Sequence, residues 1–270
     1  MVYFTSIYKN EHKLINFDSS HLIMIPNIIH QIWIQGLDNL PPSLNSYRLE
    51  CNVINNNFTF MFWNNNKIRT FIIKNYDKKY IELYDKYNIP AQKADFARYA
   101  ILYQMGGIYL DMDMICRKNL DKFLQLDFFC CDYVASKYVK KYLNGIIGSK
   151  PKHPVFEFIF NQIFHRQKNL SDVMNTTGPK MFYSAIQEYL SQTKNTDINI
   201  IERKYLHPCN LQDDELCPYA CTDCYVAHTN YSSWSLRGRA IKAFFRYKYF
   251  ILIVLLGIII AVFLMRNKFR

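Results

Sequence analysis

One segment of the chain, residues 90–113, constrains the fold more than any other. Pro90 suits the first turn of a helix, and no further Pro or Gly occurs until Gly106–Gly107, which is typical of a helix end. A short apolar strand, Ile108–Leu110, follows, and Asp111-Met112-Asp113 comes at its carboxyl end. This order predicts an α/β domain with two carboxylates at an edge of its sheet.

The remaining sequence alternates between segments with strand character and segments with helix character, which predicts a mostly parallel sheet with flanking helices. We expect this single domain to occupy residues 25–236, after a leader at residues 1–24. A strand with its exit loop is predicted at 25–36, further strands are predicted at 58–63 and 108–110, and apolar runs follow at 128–135 and 145–147. Helices are predicted at 42–55, 67–76, 79–87, 90–105, 155–165 and 180–191.

The positive charge of the chain is concentrated at its C-terminus. Of the formal net charge of +11, eight positive charges and no negative one lie in residues 237–270, which leaves +3 for residues 1–236. A nucleic-acid-binding domain would carry its basic residues on the domain itself. The charge distribution therefore argues against a nucleic-acid partner.

An uncharged apolar run, YFILIVLLGIIIAVFLM at residues 249–265, lies between the basic clusters of this tail. About 17 apolar residues are the lower limit for a bilayer span, and a globular helix would need a polar face. We therefore predict one C-terminal transmembrane helix that fixes the protein to a membrane. Five basic residues precede the run and three follow it, which favours a cytoplasmic catalytic domain by the positive-inside rule.

The acidic pair Asp111 and Asp113 is the centre of the predicted chemistry. On an extended backbone, residues i and i+2 face the same side, so these carboxylates repel each other unless a cation lies between them. Mg²⁺ and Mn²⁺ prefer carboxylate and phosphate oxygens, which suits a complex of a metal with a diphosphate. Alone, such a pair is more often two acids on a solvated loop, but here it ends an apolar strand.

Asp95 and Arg98 are three residues apart on the predicted helix and hence lie on one face of it. One interpretation is a surface ion pair, which contributes well under about 1 kcal/mol. Their neighbours are nearly all apolar, however, and this favours a polar pair that faces a pocket.

The run PAQKADFARYAILYQMGGIYLDMD at 90–113 resembles the hallmark segment of glycosyltransferase family 32, the DXD-containing sugar transferases. That family includes yeast-type α-mannosyltransferases and the mannosyltransferases of inositol phosphoceramide. The resemblance covers about residues 25–235 and implies a GT-A-like fold, a nucleotide-sugar donor and a divalent metal ion, Mn²⁺ or Mg²⁺. Further collinear matches are IPNIIHQIW at 25–33, NGIIGSKPKHPVFE at 144–157, TTGPKMF at 176–182, and His228 followed by Ser233-Trp234.

The resemblance implies catalytic and metal-binding roles for the polar residues of these motifs. Asp113 would bind the metal directly, and Asp111 would hold the ribose and assist the metal. Asp95 and Arg98 would contact the donor sugar and its phosphate. His228 is a candidate for a further metal ligand, although a histidine bonded in the core or at a strand end fits the sequence equally well.

The remaining matched residues would bind the donor. The resemblance places Trp33 near the nucleotide base, although a plain core tryptophan is a rival interpretation. Asn144 would face the sugar or the acceptor, and Ser233 and Trp234 would close over the diphosphate. The resemblance also implies retention of anomeric configuration, in which the leaving phosphate can accept the proton of the acceptor.

Four cysteines, Cys209, Cys217, Cys221 and Cys224, cluster outside the motifs of this family. They could bind a structural zinc, pair as disulfides, or remain reduced. Their spacing is irregular for a zinc ribbon and does not decide between zinc and disulfides.

Taken together, these observations predict a metal-dependent transferase that moves a sugar, with mannose as the first candidate, to a lipid or glycan acceptor at a membrane. One alternative is a membrane-anchored binding protein on a decayed transferase fold. The joint presence of Asp95, Arg98, Asp111, Asp113 and Trp234 argues against it. A second alternative is a zinc-dependent interaction module built on the cysteine cluster.

Overall fold

The computed structural model describes residues 24–231, except 137–138, 169, 195–196, 211–212, 214–215 and 230, and, further on, 240, 243–244, 247, 250, 252–260 and 265. The predicted leader, apart from Met24, lies outside the described residues. The same holds for Ser233 and Trp234.

Strands and helices alternate through most of this part of the chain. The strands are β1 Ile28–Ile32, β2 Thr59–Trp63, β3 Gly107–Leu110, β4 Met114–Cys116, β5 Phe128–Ser136, β6 Val139–Ser149, β7 Ile198–Ile201 and β8 Val226–His228. The helices are α1 Pro42–Ile54, α2 Asn65–Asn75, α3 Lys78–Lys86, α4 Pro90–Met105, α5 Val155–Arg166, α6 Val173–Thr176, α7 Pro179–Thr193, α8 Arg203–Leu206 and α9 Cys217–Ala220.

Six of these strands form one mixed sheet in the order β2-β1-β3-β6-β5-β7, and β4 and β8 form a separate antiparallel pair. The pairs β2–β1, β1–β3 and β5–β7 are parallel. β6 runs antiparallel to both of its neighbours. The predicted mostly parallel sheet is therefore interrupted at β6, because β5 and β6 are joined directly, without the crossover helix that a parallel pair requires.

The helix before the acidic pair, α4, has the bounds that its end signals predict, with Pro90 in the first turn and Gly106 at the C-terminal cap. Gly106 and Gly107 adopt positive φ angles of 63° and 98°, which favour glycine. A side chain at Gly107 would also meet the carbonyl of Ile28 at 2.7 Å. The two glycines thus let the chain turn tightly from α4 into β3.

The sheet separates two apolar clusters, because alternate strand residues point to opposite faces. On β5, Phe128 and Cys130 pack with α4, α5 and α7 in one cluster. Their neighbours Phe129 and Cys131 pack in the other cluster, which includes residues of β4, α8 and β8. Both faces of the sheet are therefore covered by apolar side chains.

No helix within the described residues is long and apolar enough to cross a membrane. The predicted transmembrane helix at 249–265 is thus not found in this part of the chain. Of the segment 249–265, residues 250, 252–260 and 265 are described and helical, and the others lie outside the described residues.

The cysteines of the C-terminal cluster form two disulfides, Cys209–Cys217 and Cys221–Cys224. A third disulfide, Cys51–Cys116, joins α1 to β4 and has no counterpart in the sequence analysis. The pairing favours the disulfide interpretation over zinc. Because disulfides persist in oxidising compartments, it also argues against the cytoplasmic orientation predicted from the charges of the tail.

Candidate active site

A cavity of about 440 Å³ opens at the carboxyl ends of β1 and β3. Seven residues with predicted roles line it. One of them is Trp33, at the end of β1, and the other six are the acidic pair and four residues close to it. The edge of the sheet thus brings together residues that are far apart in sequence. The six are Asp95, Arg98, Asp111, Asp113, Asn144 and His228.

Asp111, Asp113 and His228 form a group that could hold a metal ion, with their possible ligand atoms within 4.8 Å of one another. Nε2 of His228 lies 3.1 Å from Oδ1 of Asp113. This proximity results from the pairing of β4 with β8, in which Met114 is the partner of His228. Two carboxylates and one imidazole, all partly buried, are a donor set that fits Mn²⁺ or Mg²⁺.

The two carboxylates differ in their electrostatic surroundings. Burial alone would raise the pKa of Asp113, but the charge and hydrogen bond of His228 and the backbone N–H of Tyr231 outweigh it and lower that pKa. For Asp111, burial and the nearby Asp113 raise the pKa against the opposing charge of Arg98. The raised pKa of Asp111 reflects the cost of a second buried carboxylate beside Asp113, a cost that a further positive charge would reduce.

Arg98 connects the acidic pair to Asp95. Its Nη2 lies 3.1 Å from Oδ1 of Asp95 and 3.2 Å from Oδ1 of Asp111. Nη1 donates a hydrogen bond to the carbonyl of Asn144, and the guanidinium lies 4.3 Å from the centre of the Tyr109 ring. Arg98 as a whole is only 5% exposed, so the main contacts of its guanidinium are with protein groups that it holds in place.

Asp95 is also almost fully buried and is surrounded by donors. Asn144 Nδ2 donates to Oδ1 at 2.8 Å, and Thr177 Oγ1 donates to Oδ2 at 3.0 Å. Burial raises the pKa of Asp95 to about 6, although Arg98 and these two hydrogen bonds act in the opposite direction. Of the two interpretations of the Asp95–Arg98 pair, a surface ion pair is therefore excluded, since the pair lies buried in the cavity wall.

Trp33 follows β1 and packs with Leu40, Leu44 and Met112. Its Nε1 donates a hydrogen bond to the carbonyl of Asn39 at 3.1 Å. The ring is partly exposed and lines the cavity. A plain core tryptophan would be fully buried, so this placement is compatible with contact to a ligand. Its contact with a nucleotide base stays a prediction.

The sequence analysis assigned no role to three residues that the fold brings to this site. Thr177 lay in the matched Thr-Thr-Gly-Pro turn, and Gly145 lay next to Asn144 in another matched segment, so both could have been noticed. No sequence motif around His207 indicated a role, because its ring reaches the site only through the fold. It stacks on His228, with ring centres 4.8 Å apart and planes inclined by 24°. Burial lowers the pKa of His207 to about 3, and the nearby charges of His228 and Arg203 act in the same direction.

The fold and the site define an α/β enzyme with an acidic pair at the edge of its sheet, and comparison with known proteins identifies its family. The family described as "Glycosyltransferase sugar-binding region containing DXD motif" matches residues 41–129. The "Uncharacterized glycosyltransferase L373" of Acanthamoeba polyphaga mimivirus is 56% identical over 231 residues, which cover 86% of this chain and 92% of that protein. The chain belongs to the DXD-containing glycosyltransferases and is a glycosyltransferase.

More distant relatives carry names that state a substrate. "Inositol phosphoceramide mannosyltransferase 1" of Schizosaccharomyces pombe is 33% identical over 62% of this chain and 50% of its own length. "Mannosyl phosphorylinositol ceramide synthase CSH1" of Saccharomyces cerevisiae is 29% identical over 65% of this chain and 46% of its own length. The chain thus spans about half the length of these yeast relatives.

Among solved structures, "PaToxG Glycosyltransferase" aligns with 62% of this chain and 70% of its own, at 18% identity and a TM-score of 0.47.

Proposed function

We propose that this glycosyltransferase moves a sugar from a nucleotide-sugar donor to a hydroxyl of a lipid or glycan acceptor, with a divalent metal ion at Asp111, Asp113 and His228. The observation that carries the proposal is the convergence of these three side chains at one wall of a cavity that also contains Asp95 and Arg98. Mannose is the sugar that the names of the yeast relatives favour.

The residues around the acidic pair would prepare the site for a diphosphate. A divalent cation, when bound, supplies positive charge against the departing nucleoside diphosphate. Arg98 fixes Asp111 through its ion pair, and the hydroxyl of Tyr109 donates to the same oxygen at 2.6 Å. Asp111 is therefore held in one orientation before any ligand enters, which lowers the cost of reorganisation during the reaction.

Asp95 would orient the donor sugar. Three protein groups already hold its carboxylate, and it lines the cavity one helical turn before Arg98. A fixed carboxylate can accept hydrogen bonds from sugar hydroxyls and select their arrangement. We propose that Arg98 acts mainly by keeping Asp95 and Asp111 in place.

The resemblance to the family supports the further proposal of a retaining reaction without a side-chain base. Among the described residues that line it there is no glutamate, and its three carboxylates belong to Asp95, Asp111 and Asp113. Asp95 and Asp111 each form an ion pair with Arg98, and Asp113 lies against His228. The leaving diphosphate would then accept the proton of the acceptor hydroxyl.

The test uses the purified full-length chain with Mn²⁺ and measures release of nucleoside diphosphate from a panel of UDP- and GDP-sugars. We expect one donor to be consumed, with activity lost on chelation and reduced at least 100-fold by Asp113→Asn. The exposed Asp77, at the start of α3, provides the control Asp77→Asn, which should keep wild-type activity.

A folded wild-type chain that binds and consumes no donor in the presence of Mn²⁺ would exclude this proposal. That result would favour a binding protein on a decayed transferase fold. Activity that survives chelation and Asp113→Asn would instead place the chemistry on residues other than the proposed metal site.

A further inference from the structure

The carboxylate of Asp95, which contacts the sugar in the proposed function, is held by two side chains besides Arg98. Asn144, on β6, donates from Nδ2 to Oδ1 at 2.8 Å. Thr177, in the turn between α6 and α7, donates from Oγ1 to Oδ2 at 3.0 Å. Both donors must keep their positions if the carboxylate is to keep its orientation. A group that fixes the two donors therefore also determines how firmly Asp95 is held.

Tyr99 contacts both of these donors through one hydroxyl group. The hydroxyl donates to the carbonyl of Thr177 at 2.9 Å and accepts a hydrogen bond from Nδ2 of Asn144 at 2.9 Å. Tyr99 lies on α4, four residues after Asp95, so one helix carries both the carboxylate and the group that holds its donors. We call these four residues the Asp95 network. It ties α4 to β6 and to the turn before α7.

The direction of each hydrogen bond around Tyr99 follows from the groups present. A backbone carbonyl can only accept, so the Tyr99 hydroxyl uses its one proton on Thr177 and accepts from Asn144. The two hydrogens on Nδ2 of Asn144 go to Tyr99 and to Asp95. Asn144 and Thr177 are both buried. Without the Tyr99 hydroxyl, one hydrogen of Asn144 and the carbonyl of Thr177 would lose these partners, which favours a shift of both residues.

Tyr99 can affect the reaction only through other residues. Its side chain is fully buried, so it has no surface with which to touch a donor. Its ring stacks on Phe182 of α7, with ring centres 5.7 Å apart and planes inclined by 12°. This stacking fixes the ring without help from the hydroxyl. The hydroxyl is therefore free to act as an anchor for the rest of the Asp95 network.

We propose that Tyr99 is a positioning residue for the transfer reaction, whose hydroxyl holds the two donors so that Asp95 keeps the orientation that selects the donor sugar. This inference rests on the proposed function, and it adds a residue that sets sugar selectivity from behind the cavity wall. A carboxylate with more freedom accepts hydrogen bonds from more arrangements of sugar hydroxyls and aligns each of them less well.

The experiment compares the full-length wild type with Tyr99→Phe, which keeps the stacked ring and removes only the hydroxyl. The matched control is Tyr84→Phe. Tyr84, on α3, is also fully buried, and its hydroxyl donates to Oδ1 of Asn65 at 3.0 Å, outside the Asp95 network. Urea unfolding checks that both variants are folded and lose similar stability.

Three quantities are measured with Mn²⁺ present. The first is kcat for release of nucleoside diphosphate from the preferred donor. The second is the selectivity, the ratio of kcat/KM for that donor to kcat/KM for an epimer, with GDP-mannose and GDP-glucose or UDP-glucose and UDP-galactose as the pair. The third is the Kd of the nucleoside diphosphate alone, by isothermal titration calorimetry.

We expect Tyr99→Phe to lower kcat at least fivefold and the selectivity at least threefold. The Kd of the nucleoside diphosphate should stay within twofold of wild type, because Asp95 is assigned to the sugar and not to the diphosphate. Tyr84→Phe should match the wild type within twofold in all three quantities. A merely structural loss would affect both variants alike.

A second variant, Thr177→Val, tests whether Tyr99 acts through the Asp95 network. It removes the hydroxyl that donates to Asp95 and keeps the backbone carbonyl that accepts from Tyr99. If both residues act on the same carboxylate, the loss of kcat in the double variant should be smaller than the product of the two single losses.

Two results would overturn the inference while leaving the transfer reaction intact. In one, folded Tyr99→Phe keeps the kcat and the selectivity of an active wild type. In the other, the losses in Tyr99→Phe and Thr177→Val multiply, which would mean that Tyr99 acts independently of Asp95. A wild type that consumes no donor at all would instead reject the proposed function, and this inference with it.

Discussion

Gly145 shows how much a missing side chain can matter to the site. Its carbonyl accepts the backbone N–H of Asp111 at 2.8 Å. A Cβ atom at this position would lie 2.8 Å from Oδ2 of Asp111 and 3.0 Å from Cε of Met114. The flexible end of Met114 can move aside, but Asp111 is already fixed by Arg98 and Tyr109. Glycine at this position therefore leaves room for the carboxylate orientation that the proposed metal site needs.

We therefore expect Gly145→Ala to lower donor turnover at least tenfold by displacing the carboxylate of Asp111. Its free energy of unfolding should also fall, by about 1–3 kcal/mol, because the carboxylate that must move is held by an ion pair with Arg98 and a hydrogen bond from Tyr109. Steady-state kinetics and urea unfolding of the same preparations provide the two measurements.

Gly148→Ala is the contrasting variant, since its Cβ would meet the Phe129 ring at 1.9 Å. This substitution should lower the free energy of unfolding by about 1–3 kcal/mol. Equal turnover in Gly145→Ala and wild type would contradict this account.

His30 makes the stability of the fold depend on pH. Its Nδ1 accepts a hydrogen bond from Trp63 Nε1 at 3.2 Å, and its Nε2 lies 2.9 Å from the carbonyl of Gly106. Burial lowers the pKa of His30 to about 4, against the opposing effect of the Gly106 hydrogen bond. Between pH 6.5 and pH 4 the unfolded chain binds a proton that the folded chain excludes, so stability falls as the pH falls.

For His30 alone, the free energy of unfolding should drop by about 2 kcal/mol from pH 7.5 to pH 5. Urea unfolding of the wild type and of His30→Gln at both pH values isolates this contribution, because the other buried histidines are common to both proteins. The variant should lose about 2 kcal/mol less than the wild type over this interval. The same pH dependence in both proteins would show that His30 is not the responsible group.

At the scale of elements, the β4–β8 pair aligns the proposed metal ligands, and the disulfide Cys51–Cys116 ties this pair to α1. β4 follows Asp113 directly, and β8 ends at His228. The disulfide joins residues 65 apart in sequence, so it closes a long loop in the unfolded chain. In the chain-entropy account, such a crosslink stabilises the fold by about 4 kcal/mol.

Replacing Cys51 and Cys116 together by alanine should therefore lower the free energy of unfolding by up to about 4 kcal/mol. The matched control replaces Cys221 and Cys224, which are three residues apart, and should cost about 2 kcal/mol in the same account. Urea unfolding under non-reducing conditions gives the stabilities, and peptide mapping without reductant shows which cysteines are paired. Free thiols at Cys51 and Cys116 in the purified protein would contradict the prediction.

At the scale of the whole molecule, a metal that binds only the folded chain must stabilise it. At 100 times its dissociation constant, Mn²⁺ should add about 2.7 kcal/mol to the free energy of unfolding, by mass action. For a chain of this size the melting temperature should rise by about 5–10 °C. Differential scanning calorimetry with and without Mn²⁺ measures the shift.

This shift should disappear in Asp113→Asn, which removes one carboxylate of the proposed site, and persist in the control Asp77→Asn. A shift in Asp113→Asn as large as in the wild type would place the ion elsewhere. Because the measurement needs no donor or acceptor, it tests the metal site separately from the transferase reaction.

The sequence by itself determined the local geometry around the acidic pair. Pro90, Gly106 and Gly107 fix the bounds of α4 and the turn into β3 through their φ angles, and such preferences act over a few residues. The order of helix, glycine turn and short strand in residues 90–110 placed Asp111 and Asp113 at the end of a strand. The same segment indicated the family to which the chain belongs. The spacing of Asp95 and Arg98 placed them on one helix face, and their apolar neighbours favoured a pair that faces a pocket over a surface ion pair.

Only the tertiary structure decided which distant residues meet at this edge. His228 reaches Asp113 because β8 pairs with β4 across more than 100 residues, and His207 reaches His228 by stacking. The antiparallel direction of β6, the disulfide between Cys51 and Cys116, and the hydrogen bonds of Tyr99 likewise depend on tertiary packing, which the sequence of each segment does not specify. Periodicity and turn preferences specify each element, whereas the partner of each element is set by which apolar faces bury each other best in the complete chain.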